Sequence, residues 1–193
     1  MLYPMNRLLA HAQAHGYAVG AFNTNNLEYI QAILETAQEL DSPVIIQAAG
    51  SEIDYMGGKV FTDIIRRITE AMTVPVAINL DHGESFERVV QCISYGFTSV
   101  MFDGSRLPFE QNVASTREVV KAAHAAGVSV EGEIGIIGGT AETEDMEGLQ
   151  QNLSDPSQCE QFVRETGVDC LAASIGTAHG LYKAAPKLDF DRL

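Results

Sequence analysis

Val76-Ala77-Ile78-Asn79-Leu80-Asp81-His82-Gly83 is an apolar run that turns abruptly polar at its end. Val76–Asp81 reads as a buried strand, and the polar residues that end it, with His82 and Gly83 directly after, emerge at the rim of a sheet. Ser85 follows as an N-cap, Phe86, Val89, Val90 and Ile93 recur at helical spacing, and Gly96 stands where that helix should stop. Ser99–Phe102 is the next apolar run, and it too ends in polar residues, Asp103, Gly104 and Ser105. Strand, helix and strand in this order predict parallel pairing through a helical crossover.

The alternation extends both ways along the chain. Val19–Asn23 and Val44–Ala48 are strand candidates before it, and Val128–Glu133 and Cys170–Ile175 after it. Leu27, Ile30, Leu34, Ala37 and Leu40 form one helical stripe, and Val60, Ile64, Ile65, Ile68 and Met72 form another. A longer helix is expected between Pro108 and Gly127, marked by Phe109, Val113, Val119, Val120 and Ala123, and Pro156 opens the last clear one. Gly16, Gly96, Gly127 and Gly167 each stand where a helix should end and a strand begin, a position suited to the left-handed conformation. Gly135 to Ser154 is the one connection without a regular period, and long loops of this kind often close over sites.

With 193 residues, 46% of them hydrophobic, the chain can bury a core and is expected to form a single domain over 1–193. The formal net charge of −14 argues against a nucleic-acid partner and against binding an anionic membrane, while leaving room for a small anionic substrate. No leader and no membrane span are expected, which predicts a cytoplasmic protein. Cys92, Cys159 and Cys170 are odd in number and widely spaced, without a CxxC pair, and read as reduced thiols. His11, His15 and His124 fall in helical patterns and read as surface residues.

Where a parallel sheet curls into a (β/α) barrel, the active site lies at the C-terminal strand ends. The polar residues ending the six runs are Asn23; Ser51; Asn79, Asp81 and His82; Asp103 and Ser105; Glu131 and Glu133; and Ser174, Thr177 and His179. Imidazoles from different strands can hold a divalent metal, although a lone histidine is more often a packed or surface residue. Asp81 reads equally as a cap for the next helix or as an acid/base group, and strand alternation would send its side chain away from that of His82.

Four motifs carry a specific resemblance: Asn79-Leu80-Asp81-His82-Gly83, Ser99-Val100-Met101-Phe102-Asp103-Gly104-Ser105, Val130-Glu131-Gly132-Glu133-Ile134-Gly135 and Gly176-Thr177-Ala178-His179-Gly180. In this order they resemble the class II fructose- and tagatose-bisphosphate aldolases over nearly the whole chain. The resemblance implies an α/β fold, a (β/α)8 TIM barrel of which about the first six units are present, so that the domain would be incomplete and its open sheet edges prone to association. It implies a lyase of carbohydrate metabolism and glycolysis that cleaves a ketose 1,6-bisphosphate to dihydroxyacetone phosphate and glyceraldehyde 3-phosphate.

By the same resemblance, His82 and His179 are two of three zinc ligands, and Asp81 exchanges a proton with the aldol hydroxyl. Asp103 and Glu133 are carboxylates that orient the ligands or hold a second divalent cation. Asn23 and Ser51 are expected to touch substrate, while Gly180 and Lys183 receive a phosphate with an accompanying monovalent cation. The carbon-bound proton is expected to go to a loop glutamate, Glu142 first and Glu144 second, because the spacing after Gly138-Gly139 departs from the common form. The third histidine and a phosphate-binding turn of the family are not found after His179. A longer parent protein, a shortened product and a fragment with a partner are the competing explanations. A homo-oligomer, dimer or higher, is expected by analogy. An aldolase for a modified sugar phosphate and a non-catalytic subunit are the alternative readings.

Overall fold

The computed structural model describes residues 1–137, 153–180, 182 and 185–193. Six strands, β1 (Gly20–Asn23), β2 (Val44–Ala49), β3 (Val76–Gly83), β4 (Ser99–Phe102), β5 (Ser129–Ile134) and β6 (Cys170–Ala173), form one parallel sheet in sequence order. The helices are α1 (Met5–His15), α2 (Leu27–Glu39), α3 (Gly50–Met56), α4 (Gly58–Thr69), α5 (Phe86–Tyr95), α6 (Phe109–Ala125) and α7 (Pro156–Thr166). Every strand is paired with its neighbour in sequence and a helix follows each from β1 to β4, the pattern of consecutive β/α units. Gly16, Gly96, Gly127 and Gly167 all have positive φ, as expected from their places before the strands. Among the described residues no helix is long and apolar enough to cross a membrane.

The sheet has two differently furnished faces. On the outer face Val44, Ile46, Val76, Ile78, Leu80, Val100 and Val130 pack with Ile30, Leu34, Phe61, Ile65, Val89, Cys92 and Val119 of the helices. On the inner face Ile45 and Ala77 pack against Met5 and Leu8 of α1, which makes a floor across the N-terminal ends of the strands. The amide of Met5 donates to Ser129 Oγ at 3.0 Å, and Leu2 forms a parallel bridge with Val76.

Four details depart from the sequence reading. Leu27 and Leu40 are 42% and 71% exposed because they lie at the first position of α2 and just beyond its end, off the buried Ile30–Leu34–Ala37 face. Val60 is exposed, and Phe61 and Ile65 take the inward positions of α4. Phe86 and Val90 likewise face outward while Val89 and Cys92 are buried. The separate helix α3, ended by Gly57 at φ 80°, was not anticipated.

Asp169 ties the floor to the wall. It accepts from Asn6 at 2.9 Å, from the Val130 amide at 2.7 Å, and meets His124 Nε2 at 2.8 Å. Burial alone would raise its carboxyl, but these hydrogen bonds outweigh it and hold the group below the usual carboxylate range. A depressed folded value means that its stabilisation is present above the unfolded value near 4 and is lost as pH falls through the lower folded value. Asp169→Ala should therefore cost about 1.5–3 kcal/mol at pH 7, from lost charge-assisted hydrogen bonds. Urea unfolding at pH 7 and at about pH 3 checks this: the gap between the two proteins should narrow in acid.

Candidate metal and acid/base site

The site begins with one extra residue. Leu80 pairs with Val100 but Gly83 pairs with Phe102, so β3 advances three residues while β4 advances two. The surplus is taken up at Asp81 and His82 as a bulge, and His82 adopts φ +48°, a left-handed conformation that costs a β-carbon residue of order 1 kcal/mol. Simple alternation along the strand is thereby replaced. Asp81 turns to β1, where its Oδ2 accepts from Asn23 Nδ2 at 2.8 Å. His82 turns to β4, where its Nδ1 lies 2.8 Å from Asp103 Oδ2. Gly83 completes the bulge, since a Cβ there would stand 2.4 Å from the Met101 carbonyl oxygen.

Asp103 and Glu133 are each held from behind. Asp103 Oδ1 accepts from the Ser105 amide at 3.0 Å and its hydroxyl at 2.6 Å. The Glu133 carbonyl accepts from buried Asn112 at 3.0 Å, whose own amide oxygen accepts from Thr116. Glu133 Oε1 accepts from the Ile137 amide at 3.2 Å, whereas Oε2 is buried and without a partner among the described residues. That oxygen lies 3.9 Å from His82 Nδ1. Ligand atoms of His82, Asp103 and Glu133 all fall within 4.8 Å of one another. An imidazole and two carboxylates, one of them with a buried orphan oxygen, fit a divalent cation.

His179 stands across this cluster, its ring centroid 5.6 Å from that of His82 and inclined by 64°. Both histidines line a cavity of about 510 Å³ together with Glu84, Asp103, Arg106 and Glu133. The charges follow from this crowding. The Asp103 hydrogen bond raises His82 to about 9 against the opposing effect of burial, and the charges of Asp81, Glu133 and Asp103 add to it. Burial would raise Asp103, but the hydrogen bonds from His82 and Ser105 together bring it down to about 2. Glu133 is pushed up to about 7, first by burial and then by the Asp103 charge.

A second, partly buried carboxyl lies lower on the same inner face. Glu131 accepts from Asn79 at 3.3 Å and is pushed up to about 7, first by burial and then by the Asp81 charge. Gln47 donates to Asn23 Oδ1 at 2.8 Å, which turns the Asn23 amide so that its nitrogen faces Asp81. Gln47 was not singled out in the sequence; its pairing opposite Asn23 in β1 is the signal that could have found it. Ser51 is exposed near the start of α3, and Gly180, with φ +84°, directly follows His179. Glu142, Glu144 and Lys183 lie outside the described residues.

The family model for "Fructose-bisphosphate aldolase class-II" matches residues 3–193. A fructose-bisphosphate aldolase from Geobacillus stearothermophilus is 50% identical over 192 residues, which is 98% of this chain and 66% of that protein. One from Staphylococcus aureus (strain Mu50 / ATCC 700699) is 46% identical over 197 residues, covering 100% of this chain and 68% of its own. The crystal structure of the YdjI aldolase from Escherichia coli K12 matches with a TM-score of 0.87 and 32% identity, over 100% of this chain and 67% of that one. The chain thus spans about two thirds of the length of these relatives.

Because His82 and Glu133 hold protons near neutrality, cation uptake should release protons. His82 is protonated below about 9 and Glu133 below about 7, so affinity for Zn2+ should rise as pH increases from 6 to 9. Calorimetry at pH 7 in two buffers of different ionisation enthalpy should show release of about one proton or more per ion. PH-independent uptake without proton release would show that these groups are not the ligands.

Proposed function

The chain belongs to the class II fructose-bisphosphate aldolase family, and on that footing we propose that it carries the cation-binding and proton-transfer part of an enzyme cleaving fructose 1,6-bisphosphate. The products are dihydroxyacetone phosphate and glyceraldehyde 3-phosphate, and the reverse reaction joins them. The observation that carries this reading is the separation at the bulge: Asp81 is held by Asn23 beside the cluster of cation ligands, without belonging to it.

His82 and His179 would hold zinc, with Asp103 and Glu133 placed to complete its surroundings or to take a second divalent ion. Zinc, when bound, supplies a Lewis acid that polarises the substrate carbonyl. Asp81 has Oδ2 engaged by Asn23 and exchanges the proton of the aldol hydroxyl through its other oxygen. The Gln47–Asn23 bond fixes the amide and so the orientation of that carboxylate. Asn23 and Ser51 would touch the substrate, and Gly180 and Lys183 would receive a phosphate with a monovalent cation. Glu142 removes the carbon-bound proton, and Glu144 is the alternative. Tagatose 1,6-bisphosphate differs from the fructose compound at one carbon, and the names of the relatives favour fructose. The protein acts as a homo-oligomer in the cytoplasm, its residues 1–193 serving as one domain.

The direct test is aldol cleavage of both bisphosphates by metal-free and zinc-loaded protein. Zinc-dependent cleavage, faster with fructose 1,6-bisphosphate, is expected; tight zinc binding without turnover would replace this reading with a non-catalytic one. Asp81→Ala should keep zinc while turnover falls by about two to four orders of magnitude. His179→Ala should lose most of the zinc, by metal analysis, along with the activity. Separately, Glu142→Ala should abolish exchange of the dihydroxyacetone phosphate carbon-bound proton with solvent, and loss in Glu144→Ala instead would transfer that role.

A further inference from the structure

α1 carries His11 and His15 one turn apart, both exposed. Positions i and i+4 are neighbours on a helix surface, and here the two rings stack, with centroids 4.0 Å apart and planes inclined by 20°. His15 Nδ1 lies 2.8 Å from the His11 carbonyl oxygen, which can only accept. In the neutral ring the proton is therefore on Nδ1, and the lone pair on Nε2 is left for another partner. His11 Nδ1 lies 2.8 Å from the Tyr17 hydroxyl, to which it can donate in the same way. Hydrogen bonding of the second ring nitrogen is the arrangement that fixes tautomer and ring direction in histidine metal sites.

The helix itself is firmly placed. Met5, Leu8 and Ala12 are buried on its opposite side, and the Gly16 amide closes the last turn on Ala12. Arg7, one turn before His11, has its guanidinium 5.9 Å above the Tyr3 ring. Neutral imidazoles without a carboxylate suit zinc, nickel and copper, whereas magnesium and calcium demand oxygen ligands.

We propose that His11 and His15 form a second, exchangeable site for a divalent transition ion, bound through the two Nε2 atoms once the exposed rings turn out of their stack, with water completing the shell. It lies on the floor helix, at the opposite end of the strands from His82 and His179. An ion shared by residues 11 and 15 clips the final turn of α1, so binding raises the melting temperature as well as adding an equivalent of metal.

The probe is Ni2+ alone, in equilibrium dialysis and thermal unfolding of the full chain at neutral pH. His11→Ala and His15→Ala should each weaken one class of bound nickel by roughly tenfold or more and remove the associated thermal shift. His82→Ala should leave that class intact while depleting the strand-end site. Circular dichroism confirms that the surface variants keep their fold. Nickel binding unchanged in both α1 variants, or lost entirely with His82→Ala, overturns the proposal.

Discussion

One surplus residue in β3 relative to β4 sets the geometry of the site. Without it, Asp81 and His82 would follow the pleat and β4 would meet β3 in unbroken register. With it, the carboxylate reaches β1 and the imidazole reaches β4 from adjacent positions. The left-handed backbone at His82 is the local cost, and the close approach of Gly83 to Met101 is what lets the sheet seal around it. A cation ligand and a proton-transfer group can then be neighbours without competing for the same space.

The inner face of the sheet is divided by depth. Near the floor it is apolar, where Ile45 and Ala77 meet α1, and towards the rim it becomes a stack of amides and carboxyls. Glu131 and Glu133 both titrate near neutrality because burial disfavours their charge and other carboxylates stand close by. Asp103 escapes this through His82 and Ser105, so neighbouring acids of similar chemistry hold very different proton affinities. That gradient makes the region responsive to a cation, whose charge would favour the ionised form of the two glutamates, as His82 and Ser105 already do for Asp103.

The six parallel strands were legible in the sequence because apolar runs, helical stripes and terminal glycines agree with one another. Boundaries moved by a residue or two, as with β5, which begins at Ser129 and includes Ile134. The residues ending strands were legible as well, and His82, Asp103 and Glu133 do converge. The bulge was hidden, because register is a relation between two strands and neither carries it alone. The exposure of Val60 and Leu40 was hidden for a related reason: apolar spacing shows a stripe, but tertiary packing decides which edge of it is covered. The role of Gln47 became visible only once Asn23 lay beside it.

The floor helix also bears on the order of folding. α1 lies near the start of the chain, yet its anchors include Ala77, Ser129 and Asp169, each far along the sequence. At about 5–20 residues per second of synthesis, its last anchor is made roughly ten to thirty seconds after the helix itself. During that interval Met5 and Leu8 have no finished sheet to cover, and an isolated helix of this length is only marginally stable in water. The element made first is therefore docked late, and its apolar stripe is a surface that a nascent chain must keep from other partners until the strands beneath it are in place.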